Sequence, residues 1–271
     1  MKCLLIGYGN IGKIHAKYLS QEGLDWEWSD PNIKGGVENP KYEDYGAIFI
    51  LTPEHTHFEV YEKIKTTGYC GKVFVEKPAV IDAKHLHIFN DSSIFTGLVE
   101  RYNPAIVTLN KYCEPSKILN IDFSRCCVAD QSSRVSLLED IGIHDLDLYL
   151  YLTEIDLNNI KDIVVNTKNN TCVATITNGI IGRFIWSKDT FYKERKVVVR
   201  QDNCTFEADL QEQTVIKHYY HEGKIVSESL FVEKSSPIYN EHMEFFHSLK
   251  IQKSKQSHEL LFRLITLEKE Q

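Results

Sequence analysis

The stretch GYGNIG, residues 7–12, follows directly after the short apolar run of residues 3–6. From Ile11 onward, the side chains of Ile11, Ile14, His15 and Leu19 recur at helical spacing. Because helices repeat every 3.6 residues, this pattern predicts a strand, a glycine turn and a helix in succession. The stretch therefore favours a βαβ unit at the start of the chain.

The three glycines of this turn each meet a different steric demand. Gly7 allows the tight turn, Gly9 allows the backbone to approach a pyrophosphate, and Gly12 allows the helix to pack closely on the strand. The free amides at the helix start would then face the negative charge of the ligand. Asp30 lies 18 residues beyond Gly12, near the ~20-residue spacing of an acid that binds a ribose. The pattern predicts a dinucleotide site.

The rest of the chain divides into two patterns. Up to about residue 100, strands alternate with helices, and the run AIFILT at 47–52 is nearly continuously apolar, which is typical of a buried parallel strand. Later segments alternate apolar and polar residues, and Asn178-Gly179 marks a hairpin. We therefore predict an α/β Rossmann domain with a doubly wound parallel sheet, residues 1–100. An α+β domain with a large, mostly antiparallel, open-faced sheet follows, residues 101–271.

Composition narrows the functional class. The chain has 271 residues and a net charge of −7, so it has no basic surface suited to nucleic acid, and an anionic membrane would repel it. Its seven cysteines include no CxxC pair, so we predict no metal site and reduced thiols. No secretory signal segment is recognisable at the start of the sequence. These features predict a cytoplasmic protein.

Two motifs bring side chains suited to proton chemistry. Glu76-Lys77-Pro78 follows a strand, at the sheet edge where open α/β sheets bind ligands. Asp140 and His144 are four residues apart on a predicted helix, where a carboxylate can orient an imidazole. Each motif also has a simpler structural interpretation. Lys77 could be a solvated lysine, and His144 could be a core histidine with its hydrogen bonds satisfied within the protein. Asp145 and Asp147 are expected on other helix faces, exposed or capping.

The segment after the strand of residues 47–52 is also a candidate for nucleotide contact. Thr52 and His57 could be presented to the dinucleotide, although a simple turn into a helix is the alternative interpretation. No arginine adjoins Asp30, so a 2′-phosphate would meet a negative charge without a positive partner. The sequence therefore favours NAD over NADP.

Together these segments resemble the Gfo/Idh/MocA family of oxidoreductases. The resemblance covers nearly the whole chain, and the order of its motifs is more specific than any one of them. The matching segments are GYGNIGKIHA (7–16), LTPEHTHFEV (51–60), VEKPAV (75–80), ERYNPA (100–105), DIGIHDLDL (140–148) and PIYNEHMEFFHSL (237–249). The segments at 100–105 and 140–148 look closest to the branch that oxidises a ring hydroxyl of N-acetylhexosamine sugar nucleotides.

The resemblance implies roles for particular residues. His144 would exchange a proton with a substrate hydroxyl, Asp140 would orient and tune it, and Lys77 would polarise the reacting oxygen. The resemblance also makes the peptide before Pro78 a candidate for the cis form. The implied cofactor contacts are Gly7, Gly9, Asn10, Ile11, Gly12, Asp30, Thr52, Pro53, His57, Glu76, Lys77 and Pro78. The implied substrate contacts are Lys77, Arg101, Asn103, Asp140 and His144.

The resemblance implies an NAD-dependent dehydrogenase acting on a secondary hydroxyl of a sugar, sugar nucleotide or cyclic polyol. A non-catalytic dinucleotide- or sugar-binding protein on the same scaffold is the alternative, and a reductase of an imine or tetrapyrrole substrate is a third. The joint presence of Lys77, Asp140 and His144 favours the enzyme. The open sheet face predicts a homodimer or homotetramer, because large apolar patches usually have partners.

Overall fold

The structure is a computed structural model that describes residues 1–128, 136–247 and 254–270. The chain folds into two compact units. The first comprises Met1–Leu98 and Glu241–His258, and the second comprises Val99–Asn240 and Glu259–Gln271.

The first unit contains a five-stranded parallel sheet with the strand order β2-β1-β3-β4-β5. This order is that of a doubly wound sheet, and the predicted Rossmann-type architecture is confirmed. Its strands are β1 (Lys2–Ile6), β2 (Asp25–Ser29), β3 (Ala47–Ile50), β4 (Lys72–Glu76) and β5 (Ile94–Gly97). Its helices are α1 (Asn10–Gln21) and α2 (His57–Thr66), and a 3₁₀ helix spans Ala83–Asn90.

The centre of this sheet is fully apolar. All four residues of β3 are buried, and so are the three central residues of β1 and of β4. Parallel strands covered on both faces have this composition, since neither face meets water. The carboxyl ends of β1, β3 and β4 therefore lie side by side, and the motifs that follow them share one sheet edge.

The second unit contains an eight-stranded sheet with the order β13-β12-β11-β10-β6-β9-β8-β7, in which only β6 and β9 pair in parallel. This confirms the predicted, mostly antiparallel sheet. Its strands are β6 (Ile118–Val128), β7 (Asp162–Lys168), β8 (Thr171–Thr177), β9 (Ile181–Ser187), β10 (Asp189–Gln201), β11 (Cys204–Asp209), β12 (Thr214–His221) and β13 (Lys224–Leu230). In the described residues after Leu98, the α-helices are α3 (Pro104–Tyr112), α4 (Ile143–Thr153), α5 (Pro237–His247) and α6 (Ser254–Lys269).

One face of this sheet is buried and the other is open. In β8, Cys172, Ala174 and Ile176 are buried, whereas Val173 between them is 44% exposed. Trp186 and Phe184 extend the same buried layer in β9. The predicted hairpin joins β8 to β9, and Gly179 at its tip has a φ of +103°, which a glycine adopts without strain.

Three details differ from the sequence-based prediction. Strand β11 was missed, because only Phe206 and Ala208 give it an alternating apolar pattern. The sequence pattern predicts a strand over Arg195 to Arg200, and in the structure this strand, β10, begins earlier, at Asp189. The sequence pattern also predicts a helix over 239–250. Among the described residues this helix, α5, ends at His247, and residues 248–250 lie outside them.

The unit boundaries also differ from the predicted domains 1–100 and 101–271. Residues Glu241–His258 belong to the first unit, where the Phe245 ring lies 5.2 Å from Phe49 and 5.5 Å from Phe74. A terminal helix can pack anywhere that accommodates its apolar face, so local sequence patterns do not reveal its position. Among the described residues, no helix has the length and apolar character required to cross a membrane.

Candidate active site

The glycine turn after β1 has the steric features that its sequence predicts. A Cβ on Gly7 (φ +97°) would lie 2.7 Å from the Leu51 carbonyl carbon, and a Cβ on Gly12 would lie 2.3 Å from the Gly7 carbonyl oxygen. Gly9 is the N-cap of α1, and beyond its own chain neighbours a Cβ there would meet no atom of the described residues within 4 Å. Gly7 and Gly12 are therefore demanded by the fold, whereas the space above Gly9 is left for a ligand.

The first helical residues, Asn10 and Ile11, lie at the mouth of this turn. Asn10 is exposed and Ile11 is half-buried. Gly9 has no side chain that could cap the first amides of α1, so these donors point towards the open space. A helix start of this kind suits an anionic group such as a pyrophosphate.

Asp30 lies at the end of β2, next to the glycine turn. Its Oδ2 accepts the Tyr8 amide at 2.8 Å, and its Oδ1 accepts the Asn32 amide at 2.8 Å. Each carboxylate oxygen has a further lone pair for a ribose hydroxyl. The Tyr8 ring stacks on Trp28, with centroids 4.6 Å apart and an interplanar angle of 7°. The predicted site did not include these stacked rings, although Trp26 and Trp28 stand at alternate positions of β2 in the sequence.

His57 plays a different part from the one predicted. It is 1% exposed, with Nε2 2.7 Å from the Thr52 carbonyl oxygen and Nδ1 2.9 Å from the Pro78 carbonyl oxygen. Burial lowers the pKa of the His57 ring. The histidine therefore ties together the segments that follow β3 and β4, rather than presenting itself to a ligand. Thr52 is half-buried and its hydroxyl accepts that of Thr56.

The segment Glu76-Lys77-Pro78 follows β4, and Pro53 is exposed at the neighbouring strand end. The Lys77–Pro78 peptide bond is cis. Glu76 directs its carboxylate inward, where Oε2 accepts the Lys77 amide at 3.0 Å and Oε1 lies 3.0 Å from His15 Nε2. Both carboxylate oxygens of Glu76, one of the implied cofactor contacts, therefore bond to protein groups.

Asp140 and His144 lie in the second unit, on one continuous helical segment. A π-helical turn covers Leu138–Gly142 and leads directly into α4, which carries His144. Turns of this kind are rare and occur frequently at functional sites. Asp140 forms an ion pair with Lys188, at 2.6 Å between Oδ2 and Nζ. Lys188 follows β9 and was not identified from the sequence, because nothing local connects it to Asp140.

Buried ion pairs anchor α4 beneath this site. Asp145 is 2% exposed and binds Arg125, with 2.7 Å between Oδ1 and Nη2. Asp147 is 1% exposed and binds Arg101 through two contacts of 2.5 Å. The prediction that both acids are exposed or capping was wrong, since two arginines allow them to be buried.

The two predicted substrate contacts Arg101 and Asn103 also have structural partners. Arg101 donates two hydrogen bonds to the Asp147 carboxylate, as described above. Asn103 is 3% exposed, caps α3 by accepting the Ala105 amide, and donates to the Leu210 carbonyl oxygen at 2.9 Å. These contacts account for both side chains without a substrate.

The predicted catalytic residues are distributed over both units. Lys77 belongs to the first unit, and Asp140 and His144 belong to the second. Among the described residues, no group of three or more His, Cys, Asp or Glu side chains is arranged to hold a metal ion.

The chain is similar in sequence to two dehydrogenases of known activity. The chain is 24% identical to the UDP-N-acetylglucosamine 3-dehydrogenase of Acidithiobacillus ferrooxidans over 256 residues, which cover 82% of this chain and 78% of the relative. It is 25% identical to the inositol 2-dehydrogenase of Rhizobium meliloti over 178 residues, 55% of this chain and 53% of the relative. These matches support the resemblance to the Gfo/Idh/MocA oxidoreductases. No family model matches the chain.

Two solved dehydrogenase structures share the fold over the whole chain. The Acidithiobacillus ferrooxidans enzyme superposes with a TM-score of 0.88 at 19% identity, covering 100% of this chain and 98% of that one. A levoglucosan dehydrogenase in complex with NADH and levoglucosan gives a TM-score of 0.81 at 12% identity, covering 100% and 97%. The two-domain fold is therefore shared with these solved dehydrogenases, and the dehydrogenase relatives support an oxidoreductase.

Proposed function

We propose that the protein is an NAD-dependent dehydrogenase acting on a secondary hydroxyl of a sugar, sugar nucleotide or cyclic polyol. The observation that carries this proposal is the glycine turn, with open space above Gly9 and the Asp30 carboxylate at its edge. The curated relatives are dehydrogenases of a sugar nucleotide and of inositol, which supports a substrate of this class.

In this proposal three side chains perform the proton chemistry. His144 takes the proton of the substrate hydroxyl, Asp140 orients its ring, and Lys77 stabilises negative charge on the reacting oxygen. Lys188, paired with Asp140, stabilises the charge of that carboxylate. The nicotinamide would accept the hydride.

NAD is proposed over NADP because of the position of Asp30. Both of its oxygens accept backbone amides, so the carboxylate is held at the end of β2 beside the glycine turn. A ribose can donate two hydroxyls to such a carboxylate, whereas a 2′-phosphate would be repelled by it.

Nucleotide titration with glycine variants tests the cofactor site. The Gly9→Ala variant is expected to keep the wild-type melting temperature and to weaken NADH binding at least about tenfold, because the added methyl meets only the ligand. NADPH is expected to bind the wild-type protein more weakly than NADH. Nucleotide fluorescence measures both affinities.

The Gly12→Ala variant is the comparison for this experiment. Its methyl would lie 2.3 Å from the Gly7 carbonyl oxygen, so it is expected to lower the melting temperature as well as the affinity. Unchanged NADH affinity in Gly9→Ala, or equal affinities of the wild type for NADH and NADPH, would contradict the assigned site or the cofactor preference.

We also propose that copies of this chain associate through the open sheet face. Val173, Ile181 and Ile185 on adjacent strands are 43–46% exposed there, and side chains of this kind favour a covered surface. The Ile185→Glu variant is expected to reduce the mass measured by light scattering. Ile14→Glu, on α1 and 40% exposed, is the control and should leave the mass unchanged. A monomeric wild-type protein would refute this proposal.

A cytoplasmic location is proposed from the thiols. All seven cysteines are free, and four of them are buried. Unpaired cysteines at this frequency suit a reducing compartment.

A further inference from the structure

Two buried histidines and two glutamates of the first unit form a continuous hydrogen-bonded chain. Glu22 Oε1 lies 3.0 Å from His242 Nδ1, and His242 Nε2 lies 2.8 Å from His15 Nδ1. His15 Nε2 lies 3.0 Å from Glu76 Oε1, and the other oxygen of Glu76 accepts the Lys77 amide. The chain therefore runs from the C-terminal end of α1 to the lysine segment after β4.

Hydrogen-bond stoichiometry determines how many protons this chain holds. Each of the contacts Glu22–His242, His242–His15 and His15–Glu76 needs one proton between its heavy atoms. Two neutral imidazoles carry only one ring proton each, so with two carboxylates one contact would have none. Two lone pairs facing each other at such a distance would repel. The three contacts need three protons, and two carboxylates with two neutral imidazoles supply only two. The four hydrogen-bonded side chains therefore hold one extra proton.

The surroundings indicate where the extra proton rests. Burial lowers the pKa of His242, which favours a neutral ring that donates through Nδ1 to Glu22. Its Nε2 is then an acceptor, so His15 must donate through both nitrogens and is the imidazolium. Burial alone would raise the pKa of Glu76, but its interactions with His15 and Lys77 outweigh burial, and the pKa lies below its ordinary value. The proton therefore rests on His15, beside the Glu76 carboxylate.

Aromatic rings separate this histidine pair from water. The side chains of His15 and His242 are 1% and 0% exposed. The His15 ring lies 5.2 Å from Phe74, and the His242 ring lies 5.5 Å from Phe49 and 6.3 Å from Tyr18. Charges interact strongly in such a setting, so protonation at one end of the chain affects the other.

The other charged and titratable groups near the chain come from the elements packed around it. The charge of Lys77 acts to lower the pKa of Glu76, and the charge of Glu76 acts to raise the pKa of His57. The charge of Glu22 acts to raise the pKa of Cys3. Lys72 binds the Phe245 and Phe246 carbonyl oxygens at the end of α5, and Glu241 precedes His242 on that helix. The carboxylates of Glu22 and Glu76 are the groups that bond directly to the pair.

We propose that Glu22, His242, His15 and Glu76 form a proton relay that stores one proton and sets the charge beside Lys77. Movement of one proton from His15 to His242 and of another from His242 to Glu22 transfers the stored charge outward. Every hydrogen bond still holds one proton afterwards, and no heavy atom needs to move. The ligand-free protein already holds the stored proton. Only the effect of this proton on nucleotide binding rests on the proposed function.

Imidazole NMR of the ligand-free protein tests the relay. With histidine labelled by ¹⁵N in the ring, we expect two protonated nitrogens on His15 and one on His242 at neutral pH. The variants His15→Gln and His242→Gln assign these signals among the 11 histidines. A single protonated nitrogen on each ring of the wild-type pair would overturn the proposal.

The Glu22→Gln variant separates a relay from a merely structural cluster. It preserves shape and an acceptor for His242 but removes one charge, so we expect the signals of His15 to move, although Glu22 does not touch that ring. Glu59→Gln removes the same charge from an exposed site on α2 and should move neither ring. A change confined to His242 would overturn the relay.

The pH dependence of NADH affinity then tests the functional consequence. We expect Glu22→Gln to shift this profile and Glu59→Gln to leave it at the wild-type position. An unshifted profile with the expected NMR spectra would reject the effect on the nucleotide site and retain the stored proton. Failure of the wild-type protein to bind nucleotide would reject the proposed function, while the NMR result would still decide the relay.

Discussion

Replacing His144 with alanine is expected to lower turnover by at least about 10²-fold, the usual contribution of a positioned general base. The residue is 8% exposed and lies on α4 directly after the π-helical turn that carries Asp140. Alanine removes the imidazole and retains helix propensity, so the fold should be preserved. Affinity for NADH should not change, because the glycine turn belongs to the other unit.

Initial rates with NAD and a panel of inositols, hexoses and UDP-sugars measure this loss once the wild-type substrate is found. His218→Ala, on β12 and bonded to Ser227, is a control that removes an imidazole outside the predicted catalytic motifs. Wild-type turnover in His144→Ala would show that another group exchanges the proton. A protein that binds NADH and oxidises none of these compounds would favour the binding-protein alternative.

Replacing Arg125 with methionine is expected to lower the free energy of unfolding by about 3–5 kcal/mol, as when one partner of a buried ion pair is removed. The guanidinium is nearly inaccessible and lies 2.8 Å from Glu100 and 2.7 Å from Asp145. Without it, two carboxylates remain in the interior, where Trp186 Nε1 and Arg195 give only partial compensation. Methionine fills much of the volume, so the loss is mainly electrostatic.

Urea unfolding measures this effect, and Arg183→Met is the matched control. Arg183 pairs with Asp122 on the open sheet face and is 55% exposed, so its loss should cost roughly 0–1 kcal/mol. Adding Asp145→Asn to Arg125→Met should recover part of the stability, because it neutralises one stranded carboxylate. Equal losses in the two single variants would show that burial does not strengthen the Arg125 network.

The predictions that succeeded concern neighbouring residues. The glycine turn is a local steric pattern, and the helix of residues 104–112 begins at a proline where its missing amide is harmless. Strand β11 was missed because two inward apolar residues give too weak a period. Strand β11 forms because it pairs with β10 on one side and β12 on the other, and its own sequence pattern does not predict this pairing.

The same distinction between local and long-range features applies to the candidate site. The sequence alone determined the glycine turn, the acid after β2 and the four-residue interval between Asp140 and His144, because each depends on residues close along the chain. Only the tertiary structure decided that Lys188 pairs with Asp140 and that His15 meets His242, which lies 227 residues away. Buried polar groups must find partners wherever the fold places them, and one-dimensional spacing does not specify where that is.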